Sequence, residues 1–371
     1  MDSESTVALA HLDTVLMIDP GFTPALEYYI TILDDQSNNE EAIKYALRFK
    51  EYHPESITPY QLLVPFYQAL GRYDEAITES RALLEIDPGN TRALVNLTRI
   101  YITIRDFENA RLTAEKIKEY HEDDPYDMVS YYNLLYNLAN WRGKFKSAAQ
   151  NLHQSLKSAM ITRDSSRIFL SYFDLAQFYY EMGNADSAIF YNEEAAPWAQ
   201  SFQSLNYPLF LVQLDRSRGA EVKEKWDIAI ENFKANVPNE LWPLADAIAD
   251  IFEAYFRADT AAIITGYEYI LTMPFQENSG YMYELGRLLV KSGQYERAID
   301  YLDRLVEGQL RSSGAILNLK ARYYLGMAYE GLGNTDEAIL NYEEILKFWG
   351  DPEIETKEIK DAKRRLGRLV G

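Results

Sequence analysis

Few side chains in this 371-residue chain could carry out metal or nucleophilic chemistry. None of the four histidines lies four residues from another on one helix face, as a zinc hydrolase requires; they are His11, His53, His121 and His153. The chain has no cysteine, which excludes disulfides, thiolate metal sites and a cysteine nucleophile. The pattern therefore favours structural or solvated histidines over a metal site.

Two acidic segments have the composition, but not the spacing, of a calcium-binding loop. Residues 34–41 lack the central glycine and the distal glutamate of such a loop, and residues 121–124 stand where one structural unit turns into the next. No glycine-rich loop precedes a Lys-Ser or Lys-Thr pair, and no nucleophile with a base and oxyanion donors can be assembled. We therefore predict no catalytic residue, no metal, no cofactor and no enzymatic activity.

The charge of the chain narrows the classes of partner. Its formal charge is −20, from 57 acidic and 37 basic side chains, and this repels phosphate backbones and anionic lipid head groups. We therefore expect neither nucleic acid nor a membrane as a partner. The N-terminus lacks the basic start and apolar stretch of a secretory signal, and no run approaches the ~18 apolar residues that span a bilayer. These features predict a cytoplasmic protein.

The elements that carry these residues repeat along the chain. Small alanines inside an apolar helical pattern recur every 34 residues, at Ala8, Ala42, Ala76 and Ala110. Prolines recur at the same interval, at Pro20, Pro54 and Pro88. Alanine lets two helix backbones approach closely and proline ends a helix, so the two sets together predict a unit of two helices.

Residues 57–90 form the clearest unit, and they resemble the tetratricopeptide repeat. Tyr60, Leu63 and Tyr67 supply the bulky stripe of a first helix. Gly71 closes that helix and Ala76 opens the second one. In all, ten second-helix alanines are visible, at Ala8, Ala42, Ala76, Ala110, Ala148, Ala188, Ala229, Ala261, Ala298 and Ala338. The resemblance implies an all-α fold, a right-handed superhelical solenoid of about nine antiparallel helix pairs.

The spacing of these alanines divides the chain into segments. It is regular to Ala110 and then lengthens, and the turn glycine is missing around Ala229 and Ala261. We predict an unpaired second helix of a truncated or capping repeat at 1–22, tetratricopeptide repeats at 23–200, degenerate helical repeats at 201–278, tetratricopeptide repeats at 279–352 and a C-terminal capping helix at 353–371.

The resemblance also implies where a partner binds, because first helices of this family line the concave surface of the superhelix. The first-helix positions opposite the packing stripe are Arg99, Asn133, Asn137, Asn140, Trp141, Phe173, Gln177, Tyr180, Tyr283, Arg287, Lys320 and Tyr323. The three asparagines form one stripe whose donors and acceptors suit an extended peptide, and Phe173 with Tyr180 could hold an apolar side chain. The alternative is a solvated helix face beside core aromatics.

These features favour a non-catalytic scaffold or adaptor that holds a protein or peptide in the concave groove. A second interpretation is the sensory or regulatory half of a larger bacterial signalling protein, a kinase or a transcriptional regulator. Residues 346–352 and the basic helix that follows resemble the repeat arrays attached to such proteins. The open first repeat fits this interpretation, and it also offers a surface for homo-oligomer formation.

Overall fold

The computed structural model describes residues 3–200, 203–273, 279–306 and 314–371. Within these ranges the chain forms twenty α-helices and no strand, and no helix there is long and apolar enough to cross a membrane. The first ten are α1 (Ser3–Ile18), α2 (Thr23–Asp35), α3 (Asn39–Tyr52), α4 (Thr58–Ala69), α5 (Tyr73–Ile86), α6 (Thr91–Thr103), α7 (Phe107–His121), α8 (Pro125–Trp141), α9 (Phe145–Thr162) and α10 (Ser165–Glu181). The others are α11 (Ala185–Ala195), α12 (Gln203–Leu214), α13 (Gly219–Asn236), α14 (Trp242–Arg257), α15 (Thr260–Leu271), α16 (Ser279–Lys291), α17 (Tyr295–Val306), α18 (Ala315–Gly331), α19 (Thr335–Trp349) and α20 (Lys357–Val370).

The helices group into two compact units. Unit 1 covers Met1–Leu134 and unit 2 covers Leu135–Gly371, with the boundary inside α8. Within each unit a helix packs mainly on its neighbours in sequence, for example α3 on α2 and α4, and α18 on α17 and α19. Over the described ranges, α2 to α19 form nine consecutive pairs between the single helices α1 and α20. The predicted class, an all-α array of antiparallel helix pairs, is confirmed.

The repeated alanines lie where the two helices of a pair come closest. Ala42, Ala76 and Ala110 are fully buried, and each lies four residues after the N-cap of its helix. Ala338 occupies the same position in α19 and is also fully buried. A larger side chain at these positions would force the paired helices apart, because interiors are close-packed.

Glycine has the same role in two later first helices. A Cβ on Gly286 of α16 would lie 2.5 Å from Leu302 of α17. A Cβ on Gly326 of α18 would lie 2.5 Å from the Tyr342 ring of α19. These glycines belong to the Leu-Gly pairs that resemble the repeat family, so the resemblance has a steric reason here.

The second-helix alanine predicted at Ala261 requires correction. Ala261 is exposed near the start of α15, and the position four residues after the N-cap Asp259 is the buried Ile263. Gly266, one turn later, provides the close approach to α14, since any Cβ there would overlap Ile251. The alanine misled the prediction because the small residue of this pair lies on the next turn of the helix.

A residue in the left-handed conformation follows the first helix of most pairs. Glycine takes this position in five turns, at Gly71, Gly143, Gly183, Gly293 and Gly333. In three other turns the residue is Ser37, Arg105 or Ala258, with φ of 55°, 66° and 58°. A non-glycine residue in this conformation costs about 1–2 kcal/mol, so the packing of the pair holds the turn where glycine is missing.

Two histidines tie successive turns together in unit 1. His53 Nε2 donates to the Gly21 carbonyl over 2.6 Å, and His121 Nε2 donates to the Gly89 carbonyl over 2.6 Å. The two bonds lie two repeat periods apart, so they are the same structural device used twice. Among the side chains described, no three histidine or acidic residues converge as a metal site would require.

The last repeat of unit 2 returns to its first helix. Trp349, at the end of α19, is fully buried and donates its indole N–H to the Asn140 carbonyl over 2.7 Å. Its ring meets Phe145 edge-on at 5.1 Å, and Phe348 meets Trp141 edge-on at 5.3 Å. The hydrogen bond joins residues 209 positions apart, so the array of unit 2 closes on itself.

The segment after α19 strengthens this closure by capping α9. The Glu353 N–H donates to the Gly143 carbonyl over 3.0 Å, and the Glu353 carboxylate accepts the Lys146 N–H over 2.9 Å. Lys146 lies in the first turn of α9, where the N-cap residue Lys144 makes no side-chain cap. A carboxylate is favourable there because the helix dipole is positive at this end.

The predicted segment boundaries fall between helices or outside the described residues. The boundary at 22/23 precedes α2, and the one at 352/353 precedes α20. Those at 200/201 and 278/279 involve residues 201–202 and 274–278, which lie outside the described residues. The division into segments therefore stays a prediction.

Replacing Ala258 by glycine should stabilise unit 2. Glycine adopts the left-handed conformation freely, so the free energy of unfolding in Ala258→Gly should rise by about 1 kcal/mol. Urea denaturation followed by helical circular dichroism measures the change. In the matched control, Gly293→Ala, φ is 73° and no described atom lies within 4 Å of the new Cβ, so a similar loss is expected. No gain in Ala258→Gly would contradict the assignment of strain to this turn.

Candidate functional site

Two of the predicted site residues, Arg99 and Asn133, lie in unit 1 at equivalent positions of successive first helices. They are 34 residues apart on α6 and α8; Arg99 is exposed and Asn133 is half-buried. The same step backwards reaches Pro65 on α4 and Thr31 on α2, which are both exposed. Four consecutive first helices therefore present one accessible side chain each at the same register.

Aromatic and apolar side chains accompany this row. Tyr28 on α2 is 57% exposed, and Leu62, 34 residues later on α4, is half-buried. We call the surface made by these residues the first-helix face of unit 1; its members are Tyr28, Thr31, Leu62, Pro65, Arg99 and Asn133. The sequence-based choice missed the first four, although stepping back from Arg99 by the repeat period finds two of them directly.

The rest of the predicted asparagine stripe is occupied by internal contacts of unit 2. Asn137 is half-buried, and its Oδ1 would lie 3.2 Å from a Cβ on Gly314. Asn140 is buried, and its carbonyl accepts the hydrogen bond from Trp349. Trp141 is buried beside them. These residues take part in the closure of unit 2, so they do not continue the row formed by Arg99 and Asn133.

Phe173 and Tyr180, predicted to hold an apolar side chain of a partner, hold one of this chain instead. Both lie on α10 and pack edge-on against Phe210 of α12, at 5.4 and 5.6 Å between ring centroids. Phe173 also stacks on Phe169 at 5.5 Å. Gln177, between the two on α10, is exposed.

Four of the predicted residues line one cavity in unit 2, which measures about 270 Å³ and is partly open to solvent. They are Tyr180, Tyr283, Arg287 and Lys320. The other charged, hydroxyl and aromatic residues of the lining are Glu181, Glu284, Tyr324, Thr356, Lys357 and Glu358. This second set was not predicted. Its members come from α10, α16, α18 and the start of α20, and no sequence spacing connects these four elements.

Lys320 is the central cation of the cavity. Its side chain is 3% exposed, and its ammonium donates to the Glu181 carboxylate over 2.5 Å and to the Glu181 carbonyl over 2.7 Å. The Glu358 side chain is also 3% exposed, and its Oε2 lies 3.5 Å from the same ammonium. A buried ammonium needs such partners because it loses several kcal/mol of hydration. One lysine thus serves two carboxylates.

Arg287 is held by a carboxylate of its own helix. Its Nε donates to Glu284 Oε2 over 3.0 Å, and its Nη2 contacts the same oxygen. Burial opposes the charge, but the Glu284 carboxylate outweighs it and raises the pKa of Arg287 above its ordinary value. Burial also raises the pKa of Tyr180 to about 12 and the pKa of Tyr283 well above its ordinary value, so both phenols are neutral at physiological pH.

Burial corrects part of the predicted partner site. The Tyr323 hydroxyl, for example, donates to Asp361 of α20 over 2.8 Å. The predicted residues that are buried are Asn140, Trp141, Tyr283, Lys320 and Tyr323. These five cannot touch a partner unless unit 2 rearranges. The predicted residues with accessible surface are Arg99 and Gln177, which are exposed, and Asn133, Asn137, Phe173, Tyr180 and Arg287, which are half-buried.

One carboxyl of α10 titrates in an unusual range. Burial raises the pKa of Asp174 from 3.8 to about 6. Burial raises the pKa of Tyr136 on α8 as well, and the Asp174 charge adds to that effect. Because the folded protein holds the Asp174 proton more tightly than the unfolded chain, this carboxyl favours folding below about pH 4 and loses that contribution as the pH rises through about 6.

Two sequence-family models with the description "Tetratricopeptide repeat" match the chain, one over residues 67–126 and the other over residues 279–349. The first match lies in unit 1, and the second covers α16 to α19 of unit 2. No curated protein sequence matches the chain.

Among solved structures, the chain is similar to a tetratricopeptide repeat protein from Parabacteroides merdae, with 18% identity, 66% of this chain and 91% of that chain covered, and a TM-score of 0.46. It is also similar to the Cut9–Hcn1 hetero-tetramer of APC/C, with 14% identity, 97% and 58% covered, and a TM-score of 0.44. For Naa15/Naa10 bound to HypK-THB the values are 13%, 99% and 65%, and 0.30.

Replacing Asp174 by asparagine should remove part of the pH dependence of unit 2. The shift from 3.8 to about 6 corresponds to roughly 3 kcal/mol of lost stability at neutral pH. The unfolding free energy of Asp174→Asn minus that of wild type, measured by urea denaturation, should therefore grow between about pH 4 and pH 7 by up to this amount. A difference that stays constant over this range would show that Asp174 titrates normally in the folded protein.

Proposed function

Since the chain is a tetratricopeptide-repeat protein, we propose that it is a non-catalytic scaffold that binds an extended segment of another protein on the first-helix face of unit 1. Tetratricopeptide repeats are protein-interaction modules, and their stacked helices create long surfaces suited to such segments. The described side chains supply no nucleophile with an adjacent base, which agrees with a binding role.

One observation carries this proposal: accessible side chains recur at the same register of α2, α4, α6 and α8. Neighbouring packed helices lie about 10 Å apart, and an extended chain advances about 3.3 Å per residue. A segment of roughly ten residues could therefore contact all four helices in turn. In unit 2 the corresponding residues of α10, α16 and α18 pack against their own chain.

The chemistry of the face describes its ligand. Tyr28 and Leu62 offer apolar area, and Pro65 adds a rigid ring beside them. Arg99 presents guanidinium donors that suit a carboxylate or a backbone carbonyl, and Asn133 adds an amide. We infer a segment that places an apolar side chain over α2 and α4 and an acidic group or free carbonyls over α6.

Arg99→Glu should abolish capture of such partners from a lysate of the source cell. Reversing this charge removes the donors and repels an acidic ligand, so partners should be retained at least about tenfold less than by wild type. Quantitative mass spectrometry of the captured proteins measures the ratio, and Tyr28→Ala should lower retention of the same proteins.

Arg111→Glu is the matched control. Arg111 is an exposed arginine of the second helix α7 in the same unit, and it pairs only with Glu108 one turn away among the contacts described. This variant carries the same charge change and should keep the partners. If Arg99→Glu retains them as well as Arg111→Glu does, the first-helix face of unit 1 is not where they bind.

A further inference from the structure

We propose that the cavity of unit 2 is a second binding site, for a compact organic cation with an alkylguanidinium or alkylammonium group. This site is separate from the first-helix face of unit 1 and does not depend on it. The cation could be an arginine or lysine side chain of another protein or a free small amine, since the two share the same recognition chemistry. The lining residues present acceptors, rings and charges that such a group would satisfy.

Two buried acceptor atoms of the lining have no donor. Thr356 Oγ1 and Glu358 Oε2 are inaccessible on the protein side, and no described group makes a hydrogen bond to either. Thr356 is the N-cap residue of α20, yet its side chain does not cap the helix. An unsatisfied buried acceptor costs stability, and a carboxylate oxygen costs more than a hydroxyl. A ligand that brings several N–H donors would satisfy both atoms.

The cations of the lining are already engaged, which leaves the carboxylate without a full partner. Arg287 gives two of its donors to Glu284, and Lys320 gives two hydrogen bonds to Glu181. The Lys320 ammonium lies beyond hydrogen-bond geometry from Glu358, at 3.5 Å. With these pairs neutralised, Glu358 contributes an uncompensated negative charge inside the cavity.

Tyrosine rings make the remaining walls. Tyr180, Tyr283 and Tyr324 all line the cavity, and the last two meet edge-on at 6.1 Å. Their phenols are neutral, so they present π faces and hydroxyls without adding charge. Aromatic faces next to a carboxylate are the surroundings that bind guanidinium and ammonium groups.

The alternative ligand, an anion at the N-terminus of α20, is disfavoured by the same residues. Glu358 itself occupies the first turn of α20, where its carboxylate would repel an incoming anion. The exposed cation at this edge is Lys357, whose side chain is 84% exposed and extends into solvent. A phosphate would also leave both orphaned acceptors without donors.

Isothermal titration of the full chain with ethylguanidinium, and with an acetylated and amidated Gly-Gly-Arg-Gly-Gly peptide, tests this proposal. We expect one saturable site, and the same peptide with citrulline in place of arginine should bind about tenfold more weakly because it lacks the charge. Equal or tighter binding of the arginine peptide would identify a protein side chain as the ligand. Binding of ethylguanidinium alone would identify a free small amine.

Variants locate the site. Glu358→Gln should weaken binding about tenfold, and Thr356→Val, which removes only the orphaned hydroxyl, should weaken it about threefold and keep the protein folded. The matched control is Glu344→Gln on α19, outside the cavity, which makes the same charge change next to Lys347 and should bind like wild type. Thr356→Val keeps the test decisive if Glu358→Gln does not fold.

Three results would overturn the proposal. The first is the absence of binding of either cation up to ~10 mM. The second is binding that Thr356→Val and Glu358→Gln leave unchanged, because this would indicate general attraction to an acidic protein. The third is saturable binding of inorganic phosphate that becomes tighter in Glu358→Gln, because this would make the cavity an anion site.

Discussion

Both units depend on close helix contacts at positions that admit no larger side chain. Ala42, Ala76 and Ala110 meet this requirement in unit 1, and Gly326 meets it in unit 2 by lying against Tyr342. Each pair can bury its apolar side only against neighbouring helices, so the contact of one pair fixes the place of the next. The constraint is strong enough to override local preference, since Arg105 is held in a left-handed turn that usually selects glycine.

The same packing leaves different surfaces in the two units. In unit 1 the positions around Arg99 remain accessible, because no other element of the structure covers them. In unit 2 the equivalent sides of α10, α16 and α18 enclose a cavity whose charges are mostly paired with one another, as in Lys320 with Glu181. A single type of helix pair thus yields an open face for a long ligand in one unit and an enclosed space for a small group in the other.

The sequence predicted what is local and missed what is distant. Spacing and small residues predicted the helix pairs well, except at Ala261, where the small residue lies one turn later at Gly266. The site was predicted by assuming that every first helix faces an open groove, and this holds for Arg99 but not for the buried Trp141. Its true neighbour, Phe348, lies more than two hundred positions away, and no repeat period encodes such a contact. Thr356 and Glu358 were missed for the same reason.

The bond from Trp349 to the Asn140 carbonyl sets unit 2 apart from open repeat arrays. An open array tolerates gain or loss of a repeat, because each new pair needs only the previous one to dock against. Here an inserted or deleted pair would carry Trp349 away from its acceptor, so the number of pairs in this unit is fixed by geometry. During synthesis on the ribosome, α8 and α9 must also wait for nearly the whole remaining chain before their last contacts form, which makes folding of this unit slow relative to its helical content.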